Sequence, residues 1–255
     1  MLSKRRLRGL ALASLGAVIG QAAHAAHPLL TEDTGTQGAG NFQLELTGER
    51  GREATDAGTL RTDRPAAVVS YGLVDTADLQ IGTSYLRLRL DDGTMPTRNA
   101  GLSDVTVDVK WRFLEQGPLS LALKPGITIP VGNEARGLGR GNWAGGSLLV
   151  LSYEPGPVAF HSHLGYLYND IVGERRSLWH LSGAVTWQAT DQLKVVADVA
   201  YDTNPIELGA DGVFRTVLGA IYSPVKNVDL DVGVKRGHQR PALGVAWLAG
   251  LTVRW

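Results

Sequence analysis

Two pairs of side chains, His161 with His163 and His180 with Ser182, are this chain's candidates for metal binding or nucleophilic catalysis. His161 and His163 stand two apart, which on a β-strand puts both imidazoles on one face, at a spacing that could share a metal ion. No third ligand accompanies them, so they read as two histidines lining an interior, and no metal site is assigned. His180 and Ser182 have the same spacing. A hydroxyl near an imidazole could form the core of a nucleophilic apparatus, with Asn169 as the third member it would need. Gly137-Leu138-Gly139-Arg140-Gly141 has the glycine density of a phosphate cradle, but no helix follows to complete one. No catalytic residue and no cofactor is expected. The absence of cysteine excludes a disulfide framework or thiolate centre, and 25 basic against 25 acidic residues argue against nucleic acid as a partner.

These residues need elements to position them, and the pattern that supplies them has period two. The last fourteen residues, Ala242 to Trp255, alternate so that Leu243, Val245, Trp247, Ala249, Leu251, Val253 and Trp255 share one apolar face. About twelve such strands can be marked: 41–49, 65–73, 78–90, 102–113, 119–129, 143–153, 158–168, 178–188, 193–201, 213–222, 228–236 and 242–255. Tight turns rich in Pro, Gly, Asn and Asp alternate with longer polar loops, around 51–64, 91–101, 132–141, 169–177, 202–212 and 237–241. Aromatic residues gather at both strand ends: Tyr71, Trp111, Phe113, Tyr153, Trp187, Tyr222 and Trp255 at one, Trp143, Tyr166, Tyr168, Trp179, Tyr201 and Phe214 at the other. Two belts, short turns on one rim and long loops on the other predict an all-β, transmembrane, antiparallel up-and-down barrel in the outer membrane, with the short turns in the periplasm. A soluble β-sandwich shares the alternation but gives no reason for the belts.

Residues 1–25 carry the pattern of a cleaved export signal: Lys4, Arg5, Arg6 and Arg8, then the apolar segment Gly9 to Gly20, then Ala23-His24-Ala25. Residues 26–40 form a polar N-terminal segment and 41–255 the barrel. The segment's His27-Pro28-Leu29-Leu30-Thr31-Glu32-Asp33-Thr34-Gly35-Thr36-Gln37-Gly38, running into Asn41-Phe42-Gln43-Leu44-Glu45, resembles the opening of a family of bacterial outer-membrane transporters named for the meta-pathway of phenol degradation. Asp231 to Gly237 and Leu248 to Trp255 resemble its close. The resemblance covers the whole mature chain and implies an outer-membrane barrel that moves small, aromatic compounds. It also implies partners: membrane lipid, a small-molecule solute, and the barrel-assembly machinery, which reads the terminal strand through Leu251, Val253 and Trp255. The His180–Ser182 pair is similar to that of the outer-membrane phospholipase family, but there the pair faces lipid. Here Trp179, Leu181, Val185 and Trp187 take that side.

Parity orients the charges. On strand 102–113, Val105, Val107, Val109, Trp111 and Phe113 face one way, while Asp104, Thr106, Asp108, Lys110 and Arg112 face the other. A Lys or Arg facing lipid at mid-membrane costs ~2–4 kcal/mol, so the charged side lines the interior. The same reasoning sends Glu45, Lys124, Asp198, Arg215, Asp229, Asp231, Lys235 and Arg254 inward. On strand 78–90 the apolar parity slips at Tyr85, with Arg87 and Arg89 opposite Leu86, Leu88 and Leu90, and a β-bulge there is expected. The interior is then either a salt-bridged lumen without a selective site or a narrow channel. In a channel, Lys110, Arg112, Lys124, Arg215 and Arg254 would favour anionic or aromatic solutes, and residues 27–40 could fold inward and restrict it. The channel has two alternatives: a closed barrel with a structural or adhesive role carried by its outer loops, and a lipid hydrolase.

Overall fold

The computed structural model describes residues 27–55, 57–206, 212–239 and 242–255; the expected export signal lies outside them. Thirteen strands follow in chain order: β1 Phe42–Thr55, β2 Gly58–Val74, β3 Ala77–Asp91, β4 Thr97–Leu102, β5 Val105–Gln116, β6 Leu119–Ile129, β7 Ala144–Tyr153, β8 Val158–Tyr168, β9 Ser177–Gln188, β10 Leu193–Thr203, β11 Gly212–Val225, β12 Val228–Gly237 and β13 Leu243–Arg254. Each pairs antiparallel with its chain neighbours, apart from β4 and β5, which both pair with β3. They form one stave interrupted at Ser103-Asp104. With β13 on β1, from Gln43↔Arg254 to Ala54↔Leu243, and β2 on β3, the sheet closes into a barrel of twelve staves. Closure pairs both sides of every stave through its membrane-spanning length and leaves only the far side of β4 without a strand partner, which is the condition for a sheet to sit in hydrocarbon. Turns are tight at one rim. At Gly117, between β5 and β6, φ is 58°, a left-handed value open to glycine without Cβ strain.

The outer surface is apolar. Leu149, Leu164, Leu181, Val185, Val199, Leu218 and Val232 are exposed there, between one belt with Trp111, Tyr153, Trp187, Tyr222 and Trp255 and another with Trp143, Tyr168, Trp179 and Tyr201. Such a surface needs lipid around it, which places the protein in the outer membrane.

Three expectations need correction, the first being the loop expected over 91–101, whose residues 97–101 belong to β4 and pair with β3. The expected loop 51–64 is a β-hairpin, since β1 and β2 pair without interruption up to Thr55↔Gly58. The expected bulge on strand 78–90 is absent. Residues 78, 80, 82, 86, 88 and 90 are all buried, so β3 keeps its parity. The irregularity belongs to the opposite stave. Pairing moves from Tyr85↔Leu102 to Gly82↔Thr106, three steps along β3 against four along β4–β5, so the extra residue falls at Ser103-Asp104. Arg87, whose guanidinium carbon stands 5.6 Å from the centroid of the Tyr85 ring, points outward, while Leu86, Leu88 and Leu90 turn inward. With Leu60 and Leu138 they form an apolar cluster at the outer mouth.

Candidate functional site

Residues 27–40 run through the interior of the barrel, against the wall built by β3 and β5–β12. The reason lies in unspent hydrogen-bonding groups on both sides. A segment without a sheet neighbour must find partners for its amides, and the inward parity of the strands supplies side-chain acceptors. Leu30 and Thr31 donate their N–H groups to one Asp198 oxygen, both at 2.7 Å. Glu32 N–H donates to His163 Nδ1 at 2.8 Å, and Thr34 N–H to Ser152 Oγ at 3.1 Å. Thr31 Oγ1 donates to Ser182 Oγ at 2.9 Å, and Gln37 N–H meets Asp78 at 3.1 Å. Leu29 joins Ala184, Val196 and Ile221 in a small apolar cluster. Pro28 lies so near Gly219 and Gly233 that a Cβ there would come within 2.6 and 2.9 Å of its ring carbons.

Glu32 is the centre of this arrangement. Its side chain is 1% exposed, with one carboxylate oxygen 2.7 Å from Lys110 Nζ and the other 2.6 Å from Lys124 Nζ. Lys110 also donates to the carbonyls of Asp33 and Gly35, at 3.3 and 3.0 Å. Burial of three charges is tolerable because each is hydrogen-bonded to an opposite one.

The remaining interior charges are distributed as follows. Asp104 sits at the interruption between β4 and β5 and accepts from the N–H groups of Gly132 and Arg140, at 2.9 and 2.7 Å, which ties the loop after β6 into the outer mouth. Asp108 packs over Gly126. Arg112 pairs with Glu115 at 3.2 Å, near the short-turn rim. Arg215 binds Asp202, which also binds His180 at 2.5 Å. Arg254 pairs with Asp229 at 2.7 Å, and His27 with Asp231. His161 binds Ser152 Oγ at 2.8 Å. The interior positions thus hold Lys110, Lys124, His161, His163 and Asp198 around the segment, Asp104 in a loop anchor, and Arg112, Asp229 and Arg254 near the rim.

His180, Ser182 and Asn169 are not assembled: His180 is bound to Asp202, Ser182 to Thr31, and Asn169 to Arg140, Glu174 and the Arg175 carbonyl. In the outer loops after β8 and β6, burial raises the Glu174 carboxyl above the usual range and lowers the Arg140 guanidinium. Among the described residues no three His, Asp or Glu groups lie where they could hold a metal ion.

Sequence reasoning passed over Glu32, Ser152 and Asp202. Parity marks Ser152 and Asp202 as inward. No comparable signal marks Glu32: the register sets Asp78 opposite Lys110 and Leu148 opposite Lys124, and only the path of residues 27–40 brings Glu32 between the two lysines.

Beside the segment a cavity of about 460 Å³ remains, bounded by β1, β2, β3 and β13 and open toward the short-turn end. That size suits a small organic molecule.

The family described as "Putative MetA-pathway of phenol degradation" matches residues 25–255. No curated protein matches the chain. Among solved structures, an outer-membrane channel from Pseudomonas putida F1 is similar at 13% identity, with a TM-score of 0.72, over 88% of this chain and 98% of that one. The NanC porin aligns at 11% identity and a TM-score of 0.58, over 82% and 98%. The CymD monoaromatic hydrocarbon channel aligns at 8% identity and 0.51, over 87% and 89%. These likenesses show the fold.

Proposed function

Because the chain belongs to the family described as "Putative MetA-pathway of phenol degradation", we propose that it is an outer-membrane channel for small solutes, aromatic ones included, and that it conducts without catalysing a reaction. The observation that carries this reading is the polar lumen that keeps a cavity beside the N-terminal segment instead of closing around it. Porin and hydrocarbon-channel neighbours share the architecture. The basic groups expected to select solutes are engaged: Lys110 and Lys124 by Glu32, Arg215 by Asp202 and Arg254 by Asp229. Control of passage therefore falls to the segment, and selectivity to the wall facing it. Separate engagement of His180, Ser182 and Asn169 speaks against lipid hydrolysis. Assembly is proposed to proceed through recognition of the strand bearing Leu251, Val253 and Trp255.

The test is flux through the mature protein in liposomes, comparing small aromatic acids with neutral sugars of similar size. Flux that rises when residues 27–36 are deleted is the expected result. A folded barrel that passes nothing, with or without those residues, would refute the channel.

A further inference from the structure

We propose that the cavity beside the N-terminal segment is a binding site for small amines, in which Glu45 and Gln80 receive the ammonium group. The inference names a solute class for the channel proposed above and rests on that reading for its biological sense, though binding itself does not.

Glu45 on β1 is 6% exposed and Gln80 on β3 is 3% exposed, and both line the cavity. Among the described residues no hydrogen bond or ion pair reaches the Glu45 carboxylate, and Gln80 Oε1 is a buried acceptor without a donor. The register puts them on one wall. Gln43, Ser70 and Gln80 form one rung across β1, β2 and β3, and Glu45 with Val68 lies on the next inward rung. A carboxylate taken out of water without a partner is costly, and two acceptors on neighbouring rungs call for a donor that carries charge.

The basic groups on the cavity are spent: Lys110 at 2.7 Å on Glu32, Arg254 at 2.7 Å on Asp229, and His27 on Asp231. An anion would meet matched cations, while a cation meets an unmatched carboxylate. The other charges acting on Glu45 are, strongest first, those of Glu32, Lys124, Asp231 and Lys110, two of each sign with a carboxylate leading. Val68 and Ile221, also on the cavity, offer apolar surface to the carbon part of an amine.

Benzylammonium, benzyl alcohol and benzoate have the same ring and differ in charge, which makes them the probes. Calorimetric titration of the mature protein in detergent micelles should show saturable binding of benzylammonium, weaker binding of benzyl alcohol and none of benzoate. Glu45→Gln, isosteric and uncharged, should weaken benzylammonium about tenfold and leave benzyl alcohol unchanged. Gln80→Glu should tighten it, which keeps the proposal testable if Glu45→Gln fails to show the heat-modifiable gel mobility of a folded barrel. No saturable binding of benzylammonium, undiminished affinity in folded Glu45→Gln, or tighter binding of benzoate would overturn it. Sugar flux through the same protein in liposomes separates the two readings. Flux without amine binding removes this inference alone, and amine binding without flux removes the channel and leaves the site.

Discussion

Glu32 holds two buried lysines, so its loss is not equivalent to the loss of either. In Glu32→Gln, Lys110 and Lys124, 5% and 2% exposed, would keep their charges with no carboxylate between them. Breaking a buried pair from that side costs ~3–5 kcal/mol, and the variant should lower the midpoint of urea unfolding in lipid by the corresponding amount. Lys124→Met leaves Glu32 bound to Lys110 and should cost less than half as much, measured in the same titration. Equal losses for the two variants would mean that Glu32 is not the shared partner. Glu32 was illegible at sequence level because nothing in a polar, glycine-rich stretch says which carboxylate meets lysines 78 and 92 positions away. Parity did mark those lysines as inward. Asp104 shows the converse: its inward side was readable, but its role as a loop anchor depends on the path of residues 132–140.

At the scale of elements, the N-terminal segment is a strand-length stretch held by side chains instead of by a sheet. Its grip is spread over Asp198, His163, Ser152 and Asp78, so loosening one end should shift it without unfolding the barrel. Gly233→Val places a side chain where Pro28 sits, since even a Cβ there would come within 2.9 Å of it. Single-channel conductance in planar bilayers should rise above wild type and remain below that of the deletion of 27–36. Conductance unchanged in the valine variant would show that the Pro28 contact does not hold the segment. The strand boundaries themselves were readable, with 119–129 and 158–168 recovered as marked. The hairpin over residues 51–64 was not, because charged residues in pairs such as Arg50 and Asp63 look like a loop when the strand has left the lipid.

For the whole molecule, the solvent is the organising fact. Leu218 is 68% exposed, on β11 midway between Phe214 and Tyr222 of the two belts. Leu218→Arg should destabilise the folded barrel by ~2–4 kcal/mol in equilibrium unfolding from lipid vesicles, the cost of an arginine at mid-membrane. In detergent micelles, which let the guanidinium reach water, the loss should shrink. An equal loss in both would place Leu218 in a protein contact instead of in lipid.

Legible from the sequence alone were the barrel, its strand count, the two aromatic belts and the inward side of charges such as Lys110, Lys124 and Asp198. Each of these follows from a period of two and from what lipid and water tolerate, and both act locally along a strand. Folding in three dimensions settles which inward charges meet, that residues 27–40 engage several of them, where the extra residue of the β4–β5 stave falls, and which acceptors are left over on the opposite wall. Those outcomes depend on the order in which staves close around the lumen and on a segment that pairs with side chains far away in sequence, and no local pattern records them.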